Sequence, residues 1–132
     1  MKKATRQQTR THNSQLILKT IYDRGQVSRA EIARLTHLTR TTVSDVVAEL
    51  MHEGLVEEVG VGPSAGGKPP ILLSVVDDAR HLIGIDLANS EFRGAIINLR
   101  GEFRHRLNLP VAERDGDAAL ELVYSLIDEL LA

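Results

Sequence analysis

Polar residues fill the stretch from Met1 to His12 without any period, so residues 1–12 are expected to form a loose arm. An apolar face made of Leu16, Ile17, Leu18 and Ile21 follows, with Asn13 or Ser14 as a cap and Gly25 as a stop. That pattern predicts a helix over Asn13–Arg24. Ser28 with Glu31 three residues later is a capping-box signature, and Ile32, Ala33 and Leu35 supply the stripe of a second helix. The pattern breaks at Thr36–Leu38. Thr39 then caps a third helix, in which Val43, Val46, Val47, Leu50 and Met51 recur at amphipathic spacing until Gly54.

The period then changes. Leu55–Val59 and Ile71–Val76 lean to β structure, separated by the Gly/Pro-rich run Gly60–Pro70, which fits neither a helix nor a central strand. A hairpin with a long tip is expected. Asp77–Arg80 reads as a turn and a domain joint. Leu82–Leu87, Phe92–Leu99 and Phe103–Leu109 are strand candidates, the last pair joined at Arg100-Gly101 as antiparallel neighbours. Asp115–Asp117 caps a final helix lined by Ala119, Leu122, Val123, Leu126, Ile127 and Leu130. The expected fold class is α+β, with organisation 1–12, 13–76 and 80–132.

Composition narrows the chemistry. The 132 residues include four aromatics (Tyr22, Phe92, Phe103 and Tyr124), no Trp and no Cys. Few aromatics argue against a single-strand or RNA-binding sheet, which stacks bases on such side chains. Without cysteine there is no disulfide framework, thiol nucleophile or cysteine zinc site. No apolar run reaches the roughly 20 residues of a membrane span. No secretory signal is recognisable, and the expected location is the cytoplasm. No catalytic set, cofactor or metal site is expected. The five histidines lack ligand spacing, and Ser64 and Ser74 lack a positioned base. Arg104, His105 and Arg106 are expected to be a solvated edge that blocks stray strand pairing.

Charge is uneven. Up to Pro70 there are ten basic and seven acidic residues, net +3; beyond it, six basic and eleven acidic, net −5. Such asymmetry suggests an anion-binding front end, although charge alone fits a solvated basic tail better.

Two short helices joined by a tight turn, the second longer and amphipathic, form the helix-turn-helix pattern in Ser28–Val56, and the hairpin makes it winged. Ala33 permits close helix packing, and Leu38 and Val43 plug the corner. On the third helix Thr41, Ser44, Asp45 and Ala48 lie opposite the apolar stripe, with Arg40 and Thr42 at the N-terminal end. Free amides and the dipole there suit phosphate, and Arg40 suits guanine O6 and N7. The candidate DNA-binding residues are Arg6, Arg10, Ser28, Arg29, Thr39, Arg40, Thr41, Thr42, Ser44, Asp45 and Lys68. Asp45 lowers the local expectation unless it accepts from a cytosine amino group. Lys68 in Gly66-Gly67-Lys68-Pro69 is either a minor-groove anchor or an incidental lysine on a flexible linker; spacing favours neither.

The ordered runs SRAEIARLTHLTRTTVS, EGLVEEVG, GGKPPILLSV and HLIGIDL…FRGAIINLRGE resemble the N-terminal part of ROK-family (repressor, open reading frame, kinase) transcriptional regulators. The resemblance spans about Arg10 to Ala132. It implies a winged helix-turn-helix followed by part of a ribonuclease-H-like (actin-like) domain, a β-β-β-α unit. It also implies a repressor of sugar-utilisation genes, dimeric or of higher order, that binds double-stranded DNA at an inverted repeat. A sugar or sugar-phosphate effector would act in the full-length protein. His37 stands where the family turn usually has glycine, and Asp45 where a basic residue is common. Kinases of the family follow the Asp86 position with a Gly-Gly-Thr phosphate loop, whereas here Leu87-Ala88-Asn89-Ser90 follows, so the nucleotide site is expected to be lost. The family's sugar-binding residues, second catalytic aspartate and zinc-binding cysteines fall outside this chain, which is expected to be a piece of a longer regulator. The alternatives are a sugar kinase of the same family and a winged-helix protein–protein module.

Overall fold

A computed structural model describes residues 2–64 and 66–132. Met1 of the expected arm and Ala65 of the expected wing tip lie outside the described residues. The chain divides into two compact units that meet between Val76 and Asp77.

In the first unit, helix α1 runs Arg6–Arg24, α2 Arg29–Thr36 and α3 Arg40–His52. The expected loose arm is corrected: residues from Arg6 onward are helical. Thr5, not Asn13 or Ser14, is the cap. Its hydroxyl accepts from the Gln8 amide at 3.1 Å, and its own amide donates to Gln8 Oε1 at 2.8 Å. Arg and Gln are good helix formers, so this reciprocal cap starts a helix that apolar periodicity cannot reveal. At Gly25 (φ 78°) the chain leaves α1 through a backbone conformation that disfavours side chains.

Ser28 accepts from the Glu31 amide at 3.2 Å, which is half of the expected capping box. The Glu31 carboxylate turns instead to Arg34, whose hydrogen bond lowers the carboxyl pKa from its ordinary value. His37 ends α2 in the left-handed region (φ 58°, ψ 24°), the place where glycine is the usual solution. The helices bury Ile17, Ile21, Ile32, Val43, Val46, Val47 and Leu50.

A three-stranded antiparallel sheet closes this core. Strand β2 (Val56–Val61) and strand β3 (Ile71–Val75) form the expected hairpin. The two-residue strand β1, Val27–Ser28, pairs with the other side of β3 and is not legible in the sequence. Val27, Val56, Leu73 and Val75 carry the sheet's share of the core. A bulge between Glu58 and Gly60 shifts the register of the β2–β3 pair.

The second unit is a three-stranded antiparallel sheet in the order β4 (Leu82–Leu87), β5 (Glu91–Ile97), β6 (Phe103–Pro110), followed by helix α4 (Gly116–Leu131). Leu126 and Leu130 of α4 pack with Phe92 and Val111 on one sheet face. Gly94 admits this packing: a Cβ there would lie 2.7 Å from Leu130 Cδ1 and 3.1 Å from Leu126 Cγ. Asn98 is buried, and its Oδ1 accepts from the amides of Arg100 and Glu102 at 3.0 Å each, holding the β5–β6 turn. The Asp115 side chain makes no capping hydrogen bond, so its expected role as a cap is filled by position only.

The β6 basic cluster is not simply solvated. Arg104 grips Asp78 through two hydrogen bonds, at 2.7 and 2.8 Å, and the Arg106 guanidinium lies 3.6 Å from the Phe103 ring centroid. The Arg104 hydrogen bonds hold the Asp78 carboxyl well below the usual carboxylate range.

Candidate nucleic-acid interface

The turn Thr36–Thr39 sets the two helices of the motif. Thr36 Oγ1 donates to the Ile32 carbonyl at 2.7 Å, and Thr39 caps α3 by accepting from the Thr42 amide at 3.1 Å. Thr39 Oγ1 also bonds Thr42 Oγ1 at 2.9 Å. These hydroxyls hold the start of α3 in place, and the Ser28 hydroxyl does the same for α2.

With Val43, Val46, Val47 and Leu50 buried, α3 presents Arg40, Thr41, Ser44, Asp45 and Ala48 on its exposed side. Arg40 forms no ion pair among the described residues. The small side chains of Thr41, Ser44 and Ala48 leave little between the helix backbone and an approaching surface, which suits close contact with base edges.

The other expected residues divide. Arg29 is tied down: its Nη2 lies 3.2 Å from Glu58 Oε1 and 3.7 Å from Met51 Sδ, linking α2 to α3 and to the base of the wing. Arg10 pairs with Glu49 of α3. Arg6, Arg10, Asn13, Thr42 and Asp45 line one groove of about 520 Å³ between α1 and α3. Asp45 therefore sits on the α1 side of the exposed face, beside arginines. Lys68 is exposed in the wing loop, where the Gly62 amide donates to the Pro70 carbonyl at 2.8 Å and Ser64 Oγ donates to the Gly67 carbonyl at 2.6 Å.

Sequence reasoning misses Glu49 and Glu58 as members of this surface. A signal for Glu49 exists, because Arg6/Arg10 and Asp45/Glu49 are both four-residue pairs of like charge. None exists for Glu58, because its partner Arg29 is brought near only by the sheet.

Known proteins resemble this chain in sequence and in fold. The MarR family model matches residues 11–58. The chain is 40% identical over 119 residues to the xylose repressor of Caldicellulosiruptor bescii, covering 89% of this chain and 30% of that protein. It is 32% identical to the xylose repressor of Bacillus subtilis, covering 89% of this chain and 32% of the relative. It is 29% identical over 104 residues to the DNA-binding transcriptional dual regulator NagC of Escherichia coli, covering 77% and 25%. Among solved structures, a ROK-family transcriptional regulator described as a homologue of the Escherichia coli MLC protein superposes with a TM-score of 0.74 at 21% identity. That match covers 92% of this chain and 31% of the other. The chain thus spans about a third of the length of these curated relatives. No helix among the described residues is long and apolar enough to cross a membrane. The chain is thus similar in sequence to sugar-named transcriptional repressors, and in fold to a ROK-family transcriptional regulator, across its winged helix and the β-β-β-α unit that follows.

Proposed function

We propose that this chain is the DNA-binding front of a transcriptional repressor of sugar-utilisation genes. Its helix α3 enters the major groove, where Arg40 pairs with guanine and Thr41 and Ser44 meet neighbouring base edges or phosphates. Ser28, Thr39 and Thr42 present the helix starts to the backbone, and Lys68 anchors the wing. Lys2 and Lys3 add phosphate attraction that does not depend on sequence. One winged helix is a small surface, so a homodimer reading an inverted repeat supplies the affinity. The names of the relatives point to a pentose such as xylose as the effector, bound elsewhere in the full-length regulator.

The observation that carries this reading is the exposed face of α3, with Arg40 unpaired among the described residues and small side chains beside it. The non-enzymatic reading rests on the residues after Asp86, where Leu87-Ala88-Asn89-Ser90 replaces a glycine-rich phosphate loop. ATP binding is expected to be undetectable by calorimetry.

The test is a fluorescence-anisotropy titration against a random duplex pool at low and then physiological salt, followed by selection of bound sequences. Four to six phosphate contacts imply a slope of log K on log salt of roughly −4 to −5. A salt-sensitive complex that enriches an inverted repeat supports the proposal. Absence of binding at low salt, persisting when the chain is fused to a dimeriser, overturns it in favour of a protein-binding winged helix.

A further inference from the structure

The first two turns of α1 contain no apolar residue that could hold them. Arg6-Gln7-Gln8-Thr9-Arg10-Thr11-His12 is polar throughout, and every one of these residues is exposed. Burial of α1 begins only at Ile17. An isolated polar helix of this length is marginal in water, yet it begins at a complete capping box on Thr5 and Gln8. Its side chains reach the rest of the unit at the groove shared with α3. On α1, Arg6 and Arg10 are one turn apart and both line that groove. On α3, Asp45 and Glu49 are also one turn apart; Asp45 lines the groove and Glu49 pairs with Arg10. Two arginines on one helix thus stand beside two carboxylates on the other, in matching spacing.

We propose that Asp45 and Glu49 are positioning residues. They dock the polar start of α1 against α3 through Arg6 and Arg10, and Asp45 orients the interface instead of reading a base. This explains an acid on the exposed side of a helix that otherwise suits DNA: Asp45 lines the same groove as Arg6 and Arg10. It also assigns Arg10 a structural partner, leaving Lys2, Lys3, Arg40 and Lys68 as the freer cations for phosphate. The inference rests on the DNA-binding reading only for its second test.

The first test needs no DNA. Amide hydrogen exchange is measured on the full chain and on Glu49→Gln, Asp45→Asn and the charge exchange Arg10→Glu/Glu49→Arg. The single variants are expected to lower protection over residues 6–12 by about two- to fivefold, the range of an exposed ion pair. Protection around Ile17 and Ile21 should stay as it was, and the charge exchange should recover most of the loss. Unchanged exchange in both single variants overturns the docking role. The second test is sequence selection with Asp45→Asn. A positioning residue predicts a similar shift of affinity on all duplexes and an unchanged preferred sequence. Relaxed preference at a single base pair would show that Asp45 reads that base and overturn the proposal. If the parent chain binds no duplex at all, the DNA-binding reading fails, while the exchange result still decides the docking role.

Discussion

Eleven of the fifteen buried apolar side chains among the described residues belong to the first unit and four to the second. Exposed large apolar side chains run the other way: Leu82, Ile83, Leu87, Phe103, Leu120, Tyr124 and Leu131 all belong to the second. The winged helix surrounds its core with three helices on one side and a sheet on the other. The β-β-β-α unit has one helix on one sheet face. Its opposite face carries a shallow hollow of about 740 Å³ lined by Gly84, Asp86, Ala95, Phe103 and Arg106, among others. The first unit thus buries more apolar side chains than the second, which nevertheless has its own core between α4 and one sheet face. Recognition and cover are therefore separate problems in this molecule. The unit proposed to meet DNA keeps its stability away from its exposed helix face.

The largest effect that would sharpen this contrast lies in the first core. Leu73→Ala, at a fully buried position on the central strand β3, is expected to cost about 2–5 kcal/mol. Thermal unfolding followed by NMR should show the winged helix melting earlier while the second unit's signals hold. Simultaneous loss of both would mean that the units do not fold independently. In the second unit, Gly94→Val forces a side chain into Leu126 and Leu130, at a cost of about 1–3 kcal/mol. Weakened protection of α4 in hydrogen exchange is the readout, and a fully protected α4 in the variant would disprove the close contact.

Arg40→Ala probes function instead of packing. It should weaken binding to a selected sequence by about 1–3 kcal/mol and change binding to random duplex much less. Equal loss on both would remove Arg40 from base reading. Smaller still are two backbone substitutions, one in each unit. His37 (φ 58°) and Glu113 (φ 61°) both occupy the left-handed region. Glycine relieves that cost but loses more freedom on folding, for a net gain of up to about 1 kcal/mol. Histidine tolerates this region better than most residues. Denaturant melts should therefore show a larger gain for Glu113→Gly than for His37→Gly, and the reverse ranking would contradict the argument.

The smallest effect is electrostatic. Hydrogen bonds from Arg104 depress the pKa of Asp78 below its unfolded value. Such a carboxylate contributes stability above the unfolded pKa of about 4 and loses it only as pH falls through the lower folded value. A carboxyl NMR titration should place the Asp78 midpoint well below the ordinary range, and Arg104→Ala should move it back up. An ordinary midpoint with Arg104 present would mean that the pair does not form in solution.

Apolar periodicity makes most elements legible in the amino-acid sequence. The stripe Val43, Val46, Val47 and Leu50 locates α3 and, by opposition, its exposed face. The Gly/Pro run between β2 and β3 marks the wing. What escapes are features that periodicity cannot carry. The start of α1 is polar and is specified by a cap and by ion pairs to another helix. Strand β1 is two residues long and exists because β3 offers Val27 and Ser28 a free edge. Gly94 looks like a strand weakness until α4 lies on it.

By itself, then, the sequence determined the order and type of the major elements, the tight turn at His37 and the small, hydroxyl-rich face of α3. These follow from local terms: side-chain period, capping chemistry and backbone freedom. Only the tertiary structure decided which of the charged residues were already partnered. Arg10 with Glu49, Arg29 with Glu58 and Arg104 with Asp78 are joined across 39, 29 and 26 positions of chain, respectively. Coulomb attraction depends on distance in space, and that distance is set by how the hydrophobic cores bring separate elements together.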